Sequence, residues 1–264
     1  VEAVFQEAYS NNKQIEAVIH FAGLKSVSES ISEPLKYWEN NVNGTINLLK
    51  IMEKFNCKTF VFSSSATVYK AKSNKLLKED DICLPVNPYG FTKLTIERIL
   101  CDLYNSDSSN WRIVSLRYFN PVGAHYSGLI GEDPLGTPNN IYPQITRVAI
   151  GKLDEIRIFG SDWPTKDGTG VRDYIHVMDL AEGHLSALNY LINEKPQNLI
   201  INLGTGKGIS VLELIKMFQK VNEVNIPYSF VNRRPGDNPY VVADISLAKL
   251  ILNWEPSKLF MGDI

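Results

Sequence analysis

Short apolar runs alternate with amphipathic segments along the first half of the chain. The runs cover residues 16–23, 58–65 and 112–119, and each has about the length of one strand. Residues 34–56 and 89–104, which lie between them, repeat apolar side chains at helical spacing. Strands that alternate with helices predict βαβ units and a parallel sheet, and the unbroken run at 16–23 predicts a strand that is buried on both faces.

The second half of the chain is less regular. Residues 121–140 carry Gly and Pro throughout, and residues 231–239 are rich in turn-forming residues. Elsewhere in this half the pattern predicts strands at 156–160, 171–177 and 198–204 and helices at 141–151, 178–193 and 210–222.

These patterns predict an α/β protein. We expect a Rossmann-like, doubly wound parallel sheet in residues 1–120, to which residues 171–204 return. A smaller C-terminal α/β lobe is expected to take most of residues 121–264. The length of 264 residues suits one domain with such a lobe.

Charge and cysteine content exclude several classes of function. With 27 basic and 29 acidic residues the net charge is −2, which gives no electrostatic reason to bind nucleic acid or a membrane surface. Three cysteines without a CxxC pair argue against a disulfide framework, so a reducing compartment such as the cytoplasm is expected. The four histidines lack metal-ligand spacing, and we expect no metal.

Candidate chemistry lies where a strand ends and a helix begins. Ser63, Ser64 and Ser65 close the second apolar run, and Tyr89 and Lys93 stand four residues apart near the start of the following helix. Residues at this spacing share one helix face, and parallel sheets bind ligands at the carboxyl ends of their strands. A hydroxyl, a phenol and an ammonium group are therefore expected to converge.

Such a group of side chains can move a proton during a hydride transfer. A tyrosine has an ordinary pKa of about 10, and a neighbouring cation lowers it because the phenolate gains an opposite charge. A Tyr89 that titrates near neutrality could take the proton of a sugar hydroxyl while hydride leaves the same carbon. Taken alone, the Tyr/Lys spacing also occurs by chance, and a strand that ends in serines is often only a turn.

Further motifs point to one family. They are HFAGLKSVSES, NNVNGT, FVFSSSATVY, NPYGFTKLTIE, LRYFNPVGAH, PNNIYP, DGTGVRDYIHVMDLA, NLGTGKGISVLELI and RRPGD, and they span residues 20 to about 244. In these motifs the chain resembles the extended short-chain dehydrogenase/reductase family, and within it the UDP-glucose 4-epimerases, which are also known as UDP-galactose 4-epimerases. The resemblance implies an NAD-dependent isomerase that interconverts UDP-galactose and UDP-glucose at C4 through a 4-keto intermediate, commonly as a homodimer.

The resemblance also implies roles for individual residues. Tyr89 would be the catalytic base, assisted by Lys93 and Ser65. Besides Tyr89 and Lys93, the positions that match cofactor contacts are Phe21, Ala22, Gly23, Lys25, Asn40, Ser63 and Tyr118. Besides Ser65 and Tyr89, the positions that match UDP-sugar contacts, mainly in the C-terminal lobe, are Lys25, Asn120, Asn139, Asn140, Ile141, Phe159, Arg172, Arg234 and Asp237.

Several of these residues also have purely structural interpretations. Arg172 could pair with Asp173, and Phe159 could fill the core. The segments 138–140 and 233–237 could be exposed turns, and Lys25 could be a solvated loop residue. A diphosphate would nevertheless suit two guanidinium groups, because arginine binds phosphate oxygens in pairs.

One family feature is missing from the given sequence. The family begins with a strand and a glycine loop that holds the cofactor's pyrophosphate, whereas this chain starts at Val1 inside a helical pattern. We therefore expect an N-terminally truncated sheet and an isolated chain that is inactive. The glycines of residues 204–208 are spaced wrongly for that loop and predict a strand-to-helix turn instead.

Two other functions remain open from the sequence. One is a related nucleotide-sugar enzyme, either a 4,6-dehydratase or a decarboxylase. A dehydratase is expected to carry an Asp-Glu pair after the last serine, whereas Ala66 and Thr67 follow Ser65 here. The other is an inactive binding remnant that lacks the phosphate loop.

Overall fold

A computed structural model describes residues 1–70, 74–134, 138, 140–234 and 236–258. Its main sheet consists of β1 (Ala17–His20), β2 (Thr59–Ser65), β3 (Arg112–Tyr118) and β7 (Gln197–Leu203). The strands lie side by side in this order, and all of the pairs are parallel. The predicted parallel sheet flanked by helices is confirmed.

Helices cover both faces of this sheet. On one face α1 (Glu2–Ser10), α4 (Gly44–Lys54) and α5 (Pro88–Ser106) pack around the aromatic side chains of β2. On the other face lie α7 (Val177–Asn193) and α9 (Ser246–Leu252). Among the described residues, none of the helices has both the length and the apolar character needed to cross a membrane.

The helix predicted at 34–56 is interrupted by a change in helix type. After the short α2 (Val27–Ser32), α3 (Pro34–Tyr37) leads into a π-helical turn at Trp38–Asn43 and then into α4. A π turn adds one residue per turn and so changes which side chains face inward. In this turn Asn41 is buried while its neighbour Asn40 is exposed.

A second group of strands builds the C-terminal part. Strand β6 (Val171–His176) pairs in parallel with β4 (Asn120–Val122) and β10 (Tyr240–Val241) and antiparallel with β8 (Gly208–Ser210). A further parallel pair joins β5 (Ile156–Phe159) to β9 (Tyr228–Val231). Helices α6 (Ile141–Ala149) and α8 (Val211–Asn222) contribute to the apolar core of this part.

Two details differ from the sequence expectations. Strand β1 is half-buried along its length, and not buried on both faces, because it is the outermost strand of the sheet in the described part of the chain. Of the segment 171–204, β7 joins the main sheet, whereas β6 belongs to the second group of strands. The division of the chain into two functional lobes stays a prediction.

The turn predicted at residues 204–208 is confirmed, with the short β8 between it and α8. Its backbone is held by the buried carboxylate of Asp173, which accepts hydrogen bonds from the amides of Thr205 (2.7 Å), Gly206 (3.0 Å) and Ala243 (3.1 Å). A Cβ on Gly204 would lie 2.6 Å from an oxygen of that carboxylate. Only glycine fits this close approach.

Replacing Gly204 with alanine is therefore expected to lower the free energy of unfolding by about 1–3 kcal/mol, the usual penalty for overpacking. Gly44→Ala is the matched control, because no atom lies within 4 Å of a Cβ at that helical position. There alanine should stabilise by about 0.5–1 kcal/mol. Urea denaturation of both variants at one protein concentration measures the difference, and equal shifts would contradict this account of the turn.

Candidate active site

The start of α5 is fixed locally. Asn87 precedes the helix and its side chain accepts a hydrogen bond from the Gly90 amide (2.8 Å), while Pro88 occupies the first helical position. A Cβ on Gly90 would lie 2.7 Å from the Thr67 carbonyl oxygen, so this first turn packs directly on the segment after β2. The packing brings Tyr89 to the carboxyl end of that strand.

The three predicted catalytic side chains converge there. Ser65 Oγ accepts hydrogen bonds from the amide (3.2 Å) and hydroxyl (3.0 Å) of Thr67, and the Ser65 side chain lies near enough to Tyr89 to oppose the rise in the pKa of the phenol. Lys93 is buried, its Nζ donates to the Ser63 carbonyl oxygen (2.6 Å), and that Nζ lies 5.9 Å from the centre of the Tyr89 ring. The hydroxyl, the phenol and the amine therefore occupy one small volume.

The expected acidification of Tyr89 is wrong for the protein by itself. Burial raises the pKa of Tyr89, and the hydrogen bond from Ser65 opposes this only in part. Burial also lowers the pKa of Lys93 to about 8, against the opposing charge of Glu97. The amine of Lys93 is bound at the Ser63 carbonyl, so the cost of removing Tyr89 from water outweighs the attraction between amine and phenolate.

A second chain of hydrogen bonds begins at the same serine strand. The Tyr118 hydroxyl is hydrogen-bonded to His184 Nε2, and the neighbouring Ser63 side chain opposes the rise that burial causes in the pKa of Tyr118. The other ring nitrogen of His184 contacts the Leu180 carbonyl oxygen at 2.7 Å. The ring of Phe21 lies against the imidazole with a centroid distance of 4.7 Å. His184 was not among the predicted site residues.

The loop after β1 is held by a buried amide. Asn41 exchanges two hydrogen bonds with Leu24, one to the Leu24 amide (2.8 Å) and one to its carbonyl (3.0 Å). A Cβ on Gly23 would lie 3.3 Å from Asn41 Oδ1, so the loop passes close to this side chain. The sequence pointed to Asn40, which is exposed, and the predicted cofactor contact of Asn40 stays a prediction.

Four predicted substrate residues form a second cluster in the C-terminal part. The guanidinium of Arg234 stacks 4.4 Å from the centre of the Phe159 ring and donates to Asp237 (3.1 Å). Burial lowers the pKa of the Arg172 guanidinium, and the negative charge of Asp237 opposes this shift. Arg172 also donates to the Val171 carbonyl oxygen (2.9 Å). The cluster therefore combines two cations, one carboxylate and an aromatic ring.

The structural interpretation of Arg172 as a partner of Asp173 does not hold among the described residues. Successive side chains of a strand point to opposite faces, and the Asp173 carboxylate instead serves the turn at 204–208. Asn120 is half-buried on the neighbouring β4, where its register partner is Tyr174.

Glu132 joins two further predicted residues. Its carboxylate accepts hydrogen bonds from the Asn140 side chain (2.7 Å) and from Lys25 Nζ (3.4 Å). Asn140 immediately precedes α6, and Ile141 is the half-buried first residue of that helix. Asn139 lies outside the described residues. Glu132 itself was not predicted, because nothing in its Gly-rich surroundings marks it.

A buried ion pair was also missed. Arg117 on β3 forms two hydrogen bonds with the Glu97 carboxylate, at 3.0 and 2.7 Å, and the Ser64 hydroxyl donates to the same carboxylate (2.5 Å). Glu97 lies one helical turn after Lys93, which lies one turn after Tyr89. This spacing on one face of α5 is the signal that could have identified Glu97.

Comparison with known proteins decides the family. The family model described as GDP-mannose 4,6 dehydratase matches residues 3–262. UDP-glucose 4-epimerase of Bacillus subtilis (strain 168) is 53% identical over 258 residues, which are 98% of this chain and 74% of that protein. The chain belongs to the UDP-glucose 4-epimerase family.

Solved structures of two UDP-glucose 4-epimerases superpose closely. The protein from Stenotrophomonas maltophila, with bound NAD and formylated UDP-arabinopyranose, has a TM-score of 0.93 at 46% identity, and the match covers 99% of this chain and 76% of that one. The protein from Bifidobacterium longum, in complex with NAD+ and UDP, has a TM-score of 0.92 at 48% identity and covers 99% and 77%. The fold of this chain is thus that of the UDP-glucose 4-epimerase family.

The residues after Ser65 agree with this family and argue against a dehydratase. Ala66 is buried in a short helical turn, and Thr67 donates its hydroxyl hydrogen bond to Ser65. Neither residue is the acid that a dehydratase was expected to carry there. The description of the matching family model therefore does not carry over to the activity.

Proposed function

We propose that this protein is an NAD-dependent isomerase that interconverts UDP-galactose and UDP-glucose by inverting C4 of the hexose. The observation that carries the proposal is the convergence of Ser65, Tyr89 and Lys93 at the carboxyl end of β2. Membership of the UDP-glucose 4-epimerase family supports it. The reaction has no net redox change, so a cofactor that stays bound suffices.

The residues of the main sheet fit the cofactor. Phe21, Ala22 and Gly23 are exposed at the edge of the site, and a Cβ on Gly23 would lie 3.8 Å from Lys93 Nζ, so a side chain there would narrow the space beside the amine. A bound NAD would supply a reversible hydride acceptor for the sugar carbon. Its proposed contacts are Phe21, Ala22, Gly23, Lys25, Asn40, Ser63, Tyr89, Lys93 and Tyr118.

Tyr89 and Ser65 would handle the proton of the C4 hydroxyl. Ser65 accepts two hydrogen bonds from Thr67, so its own proton is directed to the Tyr89 oxygen. This bond orients the phenol and stabilises the phenolate once it forms. The buried Lys93 amine, whose pKa burial lowers to about 8, lies 5.9 Å from the centre of the Tyr89 ring, and its charged form would stabilise a phenolate.

The second cluster would hold the nucleotide. Guanidinium groups bind phosphate oxygens by paired hydrogen bonds. Asp237 accepts a hydrogen bond from Arg234, and its charge also acts on Arg172. Asp237 and the Phe159 ring keep Arg234 in place before a diphosphate arrives. The remaining proposed UDP-sugar contacts are Lys25, Asn120, Asn139, Asn140 and Ile141.

The proposal also covers the domains, the oligomeric state and the location of the protein. Residues 1–120, with the return of 171–204, would form the NAD-binding domain, and 121–264 would mainly form the UDP-sugar lobe. We also propose a homodimer, with the helices at 34–56 and 89–104 as its interface, and a cytoplasmic location, which the unpaired cysteines support.

The direct test uses the protein produced from its complete gene. UDP-galactose is added, and formation of UDP-glucose is followed by chromatography without added reductant. We expect an equilibrium mixture of the two sugars and no net reduction of NAD. Loss of water with formation of a 4-keto-6-deoxy sugar would instead identify a dehydratase, and the absence of any product would support a binding remnant.

A further inference from the structure

His184 connects helix α7 to two residues of the proposed cofactor site, Phe21 and Tyr118. It is buried on α7, yet it contacts residues that follow or end two different strands of the main sheet, Phe21 after β1 and Tyr118 at the end of β3. None of the catalytic roles discussed above involves it. Its position makes it a candidate for orienting a group that touches the cofactor.

The direction of the hydrogen bonds follows from the last acceptor in the chain. A carbonyl oxygen can only accept, so the His184 Nδ1 that contacts Leu180 at 2.7 Å must carry the proton. Burial lowers the pKa of His184, so the neutral ring is favoured and Nε2 is left without a proton. Nε2 must then accept, and Tyr118 must donate its hydroxyl proton to it.

This direction determines what Tyr118 can offer to a ligand. Its only proton is engaged by His184, and burial raises the pKa of Tyr118, an effect that the neighbouring Ser63 side chain opposes. The oxygen therefore keeps acceptor capacity but has no donor left. It also has no proton left to donate to Tyr89.

We propose that His184 is a positioning residue that holds Tyr118 as a pure hydrogen-bond acceptor beside the cofactor. The group it accepts from must be a donor, and on a nicotinamide cofactor the carboxamide N–H is the donor of the right chemistry. Because Tyr118 donates its hydroxyl proton in the hydrogen bond to His184, it does not donate to Tyr89, and the Tyr89 oxygen is left free to accept from the sugar hydroxyl. This inference rests on the proposed function.

Ser63 connects the Tyr118–His184 pair to the catalytic residue Lys93. Its carbonyl oxygen accepts from Lys93 Nζ (2.6 Å), while its hydroxyl serves Tyr118. One residue of β2 thus joins the Lys93–Tyr89 side to the Tyr118–His184 side. A change in His184 is expected to reach the reaction through Tyr118 and not through the nucleotide contacts of Arg172.

The first test determines which ring nitrogen of His184 carries the proton. In the protein labelled with 15N-histidine, the ring nitrogen shifts of His184, assigned by loss of the signal in His184→Gln, should show the neutral form with the proton on Nδ1. A proton on Nε2 would overturn the proposal, because Tyr118 would then accept from His184 and keep its proton for other partners. This readout does not depend on activity.

The second test is a double-mutant cycle with His184→Phe, Tyr118→Phe and the double variant. We expect His184→Phe to lower kcat about tenfold, which corresponds to one hydrogen bond, with the KM for UDP-galactose changed less than twofold. The double variant should be no slower than Tyr118→Phe, since His184 acts through Tyr118. His184→Gln, which retains a donor and an acceptor, should recover part of the rate.

The control pairs His184→Phe with Tyr126→Phe, an 89% exposed tyrosine, for which the effects should simply add. Additive effects of His184 and Tyr118 together with a lower Tm would show a structural role and overturn the proposal. If His184→Phe does not fold, the 15N spectrum and the NAD content of Tyr118→Phe and His184→Gln still decide. A protein without epimerase turnover would defeat the proposed function but leave the 15N result for His184 intact.

Discussion

Tyr89→Phe is expected to lower kcat for UDP-galactose about 100- to 10,000-fold, the range that a general base contributes. The phenol is buried, Ser65 acts on it to oppose the rise in its pKa, and the Lys93 amine lies 5.9 Å from the centre of its ring. Phenylalanine keeps the ring and removes only the oxygen. The rate is measured by formation of UDP-glucose, and the Tm and the NAD content of the variant are measured in parallel.

Tyr126→Phe is the matched control for this loss. Tyr126 is 89% exposed, so removal of its hydroxyl should leave both kcat and Tm unchanged. If Tyr89→Phe retained more than a tenth of the activity while keeping its Tm and its NAD, the phenol would not be the base. Tyr118 would then become the next candidate, because it lies on the same side of the serine strand.

The second large effect concerns stability. Glu97→Ala is expected to lower the free energy of unfolding by about 3–5 kcal/mol, because it leaves the buried charge of Arg117 without its partner. The two side chains are only 4% and 3% exposed, and they join α5 to β3 directly behind the catalytic serines. Urea denaturation of variant and unmodified protein measures the change.

The control removes a carboxylate from the same helix at its surface. Asp102 pairs with Arg98 at 3.3 Å, but these side chains are 62% and 76% exposed. Asp102→Ala should therefore change stability by less than about 1 kcal/mol. The double variant Glu97→Leu with Arg117→Met should recover most of the stability lost in Glu97→Ala, since it leaves no unpaired charge. Equal losses in the free energy of unfolding for Glu97→Ala and Asp102→Ala would show that the buried ion pair stabilises the protein no more than the exposed one.

Much of the site was predictable because its signals are local. Tyr89 and Lys93 share a helix face through their four-residue spacing, and Ser65 ends a strand whose apolar run is unmistakable. Parallel strands all end at one edge of the sheet, so the convergence of these three residues followed from the α/β pattern. The pKa direction of Tyr89 did not follow, because burial depends on what packs around the phenol.

The missed residues share a different property. Asn41 contacts a loop 17 residues away, Arg117 contacts Glu97 at a separation of 20, and Tyr118 contacts His184 at a separation of 66. No short motif marks these pairings, although Glu97 lies at helical spacing from Tyr89 and Lys93, and Tyr118 lies in a predicted motif. Asn41 also lies in a π-helical turn, a departure from the regular helix predicted for residues 34–56.

The amino-acid sequence by itself determined the order of strands and helices, the parallel sheet and the positions of Ser65, Tyr89 and Lys93. These depend on periodicity and on residue spacing, which act over a few residues. Only the tertiary structure decided that Lys93 binds a backbone carbonyl, that Glu97 neutralises Arg117, and that Tyr118 is hydrogen-bonded to His184. Charges and protons respond to burial and to distant partners, and neither exists until the chain has packed.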